Sequence, residues 1–272
     1  MSTYSKEQWA SLVEQTKSTL PSELGDQAWY ILISAALSTS PSPELLAQFY
    51  TYLTSTNSNH ATAEMSQRLS LQFRDILLKQ VGLVGAPQVL MALTPLAAAE
   101  GSPQEKARES QLTDKWKSFN IDEIHARGTD TIHSIYGREL LHNRIFPQWG
   151  HHTADVQFME LFTIYGLYLS DFEQLTPLET ELVVFVTISC LGLGLGPALW
   201  HLRGLGRLLG ARGEDETTVE IRKIKDALRQ VKVSIMAVVD FVGDEFAAKA
   251  KMDTWPNVGD VTRVLGGWGE NA

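Results

Sequence analysis

Glu181 and His201 are the residues of this chain best suited to chemistry. The first lies in the run PLETELVVF and the second in LWHLRGLG. A carboxyl and an imidazole held together in an apolar pocket can pass a proton to a carbanion or take one from an acidic carbon. Burial raises the carboxyl's pKa, and the pair keeps a proton available near neutral pH. Arg203 carries paired donors that could hold a substrate carboxylate. Residues two apart on a helix point to different sides, however, so Arg203 also suits a surface, an ion pair or a neighbouring subunit. Each residue has a plainer reading. His201 shares a helical face with Pro197, Gly204, Leu205 and Leu208, as a satisfied core histidine would. Glu181 could simply complement the start of its helix, and Cys190 could be a small buried hydrophobe.

Two other groupings need weighing. His142, His151, His152, Asp155 and Glu160 carry ligating atoms, but adjacent histidines seldom share one helical face. The run HHTAD reads as a loop in which Thr153 caps the next helix, and no metal is expected. VVFVTISCLGLGLG looks like a strand entering a dinucleotide loop. The spacing fails, because Leu199 stands where a third glycine is needed.

The elements that must position Glu181 and His201 lie between Thr176 and Gly213. Thr176, Pro177 and Glu179 make a helix start with a capping box, and Leu182 to Leu191 continues as an almost wholly apolar run. LGLGLGP breaks it, and ALWHLRGLGRLLG forms a second helix that stops at the glycines around Gly210 and Gly213. Upstream, Glu44–Leu53 and Ala63–Val81 have helical spacing. GLVGAPQVLMALTPLAAAEG then repeats the plan of a break followed by an apolar helix. Setting Pro87 on Pro197 puts Met91 on His201 and Leu93 on Arg203, as in a duplicated unit whose first copy has lost its polar residues. Ser102–Arg127 reads as a polar linker, dividing the chain into an N-terminal helical region, 1–110, and a C-terminal domain, 111–272. Helical patterns resume over Asp130–Leu141, Val156–Leu169 and Glu216–Lys251, the last with a break near Gly243. The glycine-rich tail does not continue it. No alternating strand pattern occurs, so the fold class is all-α.

Composition narrows the function. A net charge of −9 with no basic cluster argues against nucleic-acid or anionic-membrane partners. The uncharged run Leu182–Trp200 is long enough to span a bilayer, but its glycines and proline suit a folded hairpin better. The N-terminus reads as an amphipathic helix rather than a signal peptide, and a single cysteine forms no internal disulfide, so a cytoplasmic location is expected.

The runs IYGRELLHNRI, MELFTIYGLYLSD, PLETELVVF and WHLRGLGRLLGA resemble the carboxymuconolactone decarboxylase family and its alkylhydroperoxidase D-like relatives. The likeness is greatest to a fungal branch in which the unit is extended or doubled. It covers residues 132–221, and more loosely 65–101. It implies the helical fold of that family, homo-oligomers, and a pocket near the ELV and HLRG segments. The peroxidase (peroxiredoxin activity) members use a Cys-x-x-Cys-x-x-x-His arrangement with an upstream glutamate. With that histidine on His201, the cysteines fall on Gly194 and Pro197 and the glutamate on Glu181. One thiol cannot close the internal disulfide that such a cycle needs. The decarboxylase side needs no thiol and no cofactor. It implies a small carboxylated substrate, with His201 as proton donor or acceptor, Glu181 as its partner and Arg203 as a substrate anchor. A non-catalytic helical protein of the same shape, used for binding or assembly, is the alternative.

Overall fold

A computed structural model of the chain describes residues 4–56, 62–101, 120–213 and 216–270. Among them no strand forms, and an isolated antiparallel bridge joins Gly213 to Gly269. The N-terminal helices are α1 (Lys6–Thr19), α2 (Ala28–Thr39), α3 (Leu45–Thr56), α4 (Ala63–Val84) and α5 (Ala86–Glu100). Then come α6 (Ile121–Tyr136) and α7 (Thr153–Met159), whose end widens into π turns over Glu160–Leu169. The rest comprises α8 (Pro177–Cys190), α9 (Leu199–Leu208), α10 (Val219–Val242), α11 (Asp244–Ala250) and α12 (Asp260–Leu265). Side-chain caps open many of these helices. Ser5 with Gln8, and Thr176 with Glu179, form full capping boxes, while Thr62, Asn120 and Thr218 each accept one backbone N–H. Each such cap is worth about 1 kcal/mol.

Helix α8 is the centre of the molecule. Every residue from Thr180 to Cys190 is buried, and the helix packs on α2, α4, α9 and α11. It also separates two apolar clusters. Leu182, Val183, Phe185 and Val186 join the larger one, shared with α1–α5 and α10. Val184 and Ile188 face the smaller one, built by α6, the turns after Gly137 and the Glu160–Leu169 segment. Gln80 ties α4 to both neighbours. Its amide donates to Ala35 O at 3.0 Å, Thr39 Oγ1 at 3.1 Å and Thr187 Oγ1 at 2.8 Å, and its carbonyl accepts from Ser38. Helix α6 meets the Glu160–Leu169 segment backbone to backbone. A Cβ on Gly128 would stand 1.9 Å from Leu161 O.

Several expectations need correcting. The linker extends less far than Arg127, because α6 starts at Ile121 with Asn120 as its cap. Residues 102–119, and with them the 110/111 boundary, lie outside the described residues, and the larger cluster draws residues from both sides of that division. Thr153 does not cap α7. It is the first residue of that helix, and its hydroxyl donates to Phe146 O and Gly150 O. Pro197 sits inside a π turn, Gly194–Ala198, that runs directly into α9. Helix α2 had no counterpart in the sequence reading: all twelve of its residues are buried. The α4–α5 and α8–α9 pairs share the plan of helix, glycine break and helix, but Met91 is 62% exposed where His201 is buried. Among the described residues no helix is long and apolar enough to cross a membrane.

Candidate functional site

Four side chains from four segments form one hydrogen-bonded line. Glu181 comes from the first half of α8 and His201 from the first turn of α9, and the break between these helices turns the chain back so that they meet. His201 Nδ1 lies 2.8 Å from Glu181 Oε1, and His201 Nε2 lies 2.8 Å from the hydroxyl of Tyr136, the last residue of α6. Tyr165, within the π turns, donates to Tyr136 Oη at 2.9 Å. One arrangement of protons satisfies all three bonds. Nδ1–H donates to the Glu181 carboxylate, and Nε2 accepts from Tyr136, which accepts from Tyr165.

The line is buried. Glu181 and His201 are 1% and 4% exposed. Burial raises the Glu181 pKa, opposed by the adjacent imidazole, and among the described residues Glu181 Oε2 has no hydrogen-bond partner. Both tyrosines are held well above the ordinary phenol range by burial, so they remain protonated donors at neutral pH.

A cavity of about 320 Å³ opens on this line. Tyr136, Tyr165 and His201 are in its wall, with Ile132, Phe146, Trp149 and Trp200 among the apolar groups. Glu181 is not in the wall. It stands one hydrogen bond behind the imidazole, as an orienting group would. Glu160 does line the cavity. Its pKa is raised by burial, with His201 as the opposing influence.

Arg203 points the other way. It is 2% exposed, its Nε donates to Gly267 O at 2.7 Å, and its Nη1 donates to Tyr136 O. Burial and the neighbouring Arg207 lower its pKa to about 10, which leaves it charged at neutral pH. It borders a separate depression beside Glu139, Arg144 and Glu270, so the structure brings Glu181 and His201 together and sets Arg203 apart from their cavity. Arg203 nevertheless reaches the site from behind, through the backbone of Tyr136. Cys190 is fully buried, its thiol pKa is pushed up by burial, and it does not line the cavity. The rings of His151 and His152 lie tilted against each other, with centroids 3.8 Å apart, while His142 pairs with His133 at 3.0 Å. Among the described residues no three His, Cys, Asp or Glu side chains are grouped to hold a metal ion.

Sequence reasoning did not assign Tyr136, Tyr165 or Glu160 to the site. A signal for the tyrosines is present: the triplet Ile-Tyr-Gly occurs at 135–137 and again at 164–166. Set against known proteins, the chain matches no family model, no curated protein and no solved structure.

Proposed function

We propose that this chain is a thiol-independent, cofactor-free enzyme of proton transfer, built on the helical plan of the carboxymuconolactone decarboxylase and alkylhydroperoxidase D-like families. The observation that carries the proposal is the unbroken line Glu181–His201–Tyr136–Tyr165 ending in an apolar cavity. In this reading His201 Nε2 takes a proton from a carbon beside a carbonyl. Glu181 stabilises the imidazolium through Nδ1–H, and the Tyr136 hydroxyl, released from Nε2, donates to the enolate oxygen. Reversal returns the proton to carbon. The decarboxylation that the family resemblance implies would use the same groups: loss of carbon dioxide from a small carboxylated metabolite leaves the enolate, and protonated His201 supplies the proton.

The test is exchange of deuterium from D2O into an enolisable two-ring ketone such as 2-tetralone, followed by NMR. His201→Ala should slow exchange by about 10²–10⁴-fold, the usual contribution of a positioned acid–base group. Its cooperative melt should persist. Equal exchange by the native chain and His201→Ala would remove the proposal and leave the non-catalytic reading. Self-association belongs to the same proposal. Phe158 and Met159, 61% and 47% exposed, present an apolar surface, and Met159 also lines the cavity. A sedimentation mass above the 30.2 kDa of one chain is expected.

A further inference from the structure

The cavity's wall has a sharp chemical bias. Among the described residues it contains two tryptophans, one phenylalanine, two tyrosines and a majority of aliphatic side chains, but no lysine and no arginine. The side chain of its acidic member, Glu160, makes no hydrogen bond or ion pair among the described residues, and the group opposing the effect of burial on it is His201. Behind His201 stands a second carboxyl, Glu181, whose Oε2 is without a partner among the described residues. Arg203, the guanidinium nearest in sequence, is spent on the carbonyls of Gly267 and Tyr136.

We infer that the cavity takes an uncharged, ring-bearing molecule with a hydroxyl or carbonyl group, and that Glu160 selects it by rejecting carboxylates. This rests on the proposed acid–base site and specifies its substrate class. A carboxylate entering the cavity would lose its hydration and meet no fixed cation, with one carboxyl in the wall and another behind the imidazole. A neutral oxygen meets four fitting partners. Glu160 accepts from a hydroxyl when ionised and donates to a carbonyl when protonated, the Tyr136 and Tyr165 hydroxyls lie alongside, and His201 completes the polar corner. Trp149, Trp200 and Phe146 supply the flat apolar faces that a ring needs. The volume of about 320 Å³ suits one small two-ring molecule. Acid–base exchange beside a carbonyl is therefore the half of the chemistry this cavity favours, over loss of carbon dioxide from an anionic substrate.

The experiment compares 2-naphthol with 2-naphthoate, two probes of nearly the same shape, by titration calorimetry at neutral pH on the native chain, Glu160→Gln, Ile132→Trp and His201→Ala. On the native chain 2-naphthol should bind at least about tenfold more tightly than 2-naphthoate, a gap worth one factor of ten in affinity. Glu160→Gln should narrow that gap several-fold by improving the naphthoate, and Ile132→Trp, which fills the cavity, should abolish binding of both. Equal or tighter naphthoate binding on the native chain would overturn the inference. So would an unchanged gap in Glu160→Gln, naphthol binding that survives in Ile132→Trp, or no binding of either probe. Naphthol binding that persists in His201→Ala, together with no native deuterium exchange, would sink the proton-transfer reading and leave the ligand class standing.

Discussion

Gly204 leaves no room for a side chain. A Cβ there would stand 2.5 Å from Glu181 Oε1 and 2.5 Å from Ile135 Cγ2, so the absence of a methyl is what lets α9 approach α8 closely enough for His201 and Glu181 to meet. Gly204→Ala should therefore cost about 1–3 kcal/mol, the usual penalty for overpacking. It should also slow deuterium exchange, because the carboxyl cannot yield without leaving Nδ1; chemical denaturation and the exchange assay read the two effects separately. Glu160 offers a test with a defined sign. Its pKa is higher folded than the ordinary 4.5, so the folded chain binds more protons there, and the site's contribution to stability falls as pH rises through the folded value. Glu160→Gln should be more stable than the native chain at neutral pH, with the difference shrinking as pH falls toward about 4.5. Melting curves across that window check it, and a difference that grows on acidification would contradict it. Cys190 should be expendable: Cys190→Ala removes a small buried side chain from α8 but touches none of the line. Peroxide reduction that survives this change and depends on His201 would reverse the exclusion of peroxidase chemistry.

At the level of helices, the site depends on α8 being held rigid between two cores. Gln80 is the polar pin of that packing, linking α4 to α2 and α8 through four hydrogen bonds. Gln80→Ala should lower stability by about 1–3 kcal/mol, the cost of stranding buried polar groups, and a denaturant titration reads it directly. The sequence showed these helices unevenly. The start of α8 was plain, because Thr176, Pro177 and Glu179 encode a cap without reference to the rest of the chain. The break at Gly243 was equally legible. Helix α2 was not: AWYILISAALST is buried on every side, so it lacks the polar face whose repeat marks a helix. The tyrosines of the site were hidden for another reason. Tyr136 and Tyr165 lie far apart in sequence, and only the glycine-mediated contact of α6 with the π turns makes them neighbours. Arg203 shows the reverse. Its helical offset from His201 already argued for separate faces, and of the two carbonyls it found, Gly267 O belongs to a tail without periodic signal and Tyr136 O to the end of α6.

Across the whole molecule, the tail after α12 closes the structure behind the site. Arg203 and Arg207, both almost fully buried, bind the carbonyls of Gly267 and Trp268, and Trp268 is itself wholly buried. Ending the chain at Leu265 should cost at least about 3 kcal/mol, the penalty for leaving a buried charge without its partners. Thermal denaturation of that shortened chain tests this, and an unchanged melting temperature would show the clasp to be dispensable. The hold is made to main-chain oxygens rather than to side chains, and it is intolerant of bulk at one place: a Cβ on Gly269 would stand 2.0 Å from Arg203 Nη2.

That clasp also sets an order of assembly during synthesis. A ribosome that has released residues only as far as Leu265 has already made Glu181, His201, Tyr136 and Tyr165, yet Arg203 still lacks one of the two carbonyls it bridges. The tyrosine's backbone is then anchored from one side alone. The nascent protein should acquire its mature pocket only when this glycine-rich turn emerges and locks, so residues made after the site, and remote from the chemistry, time its onset.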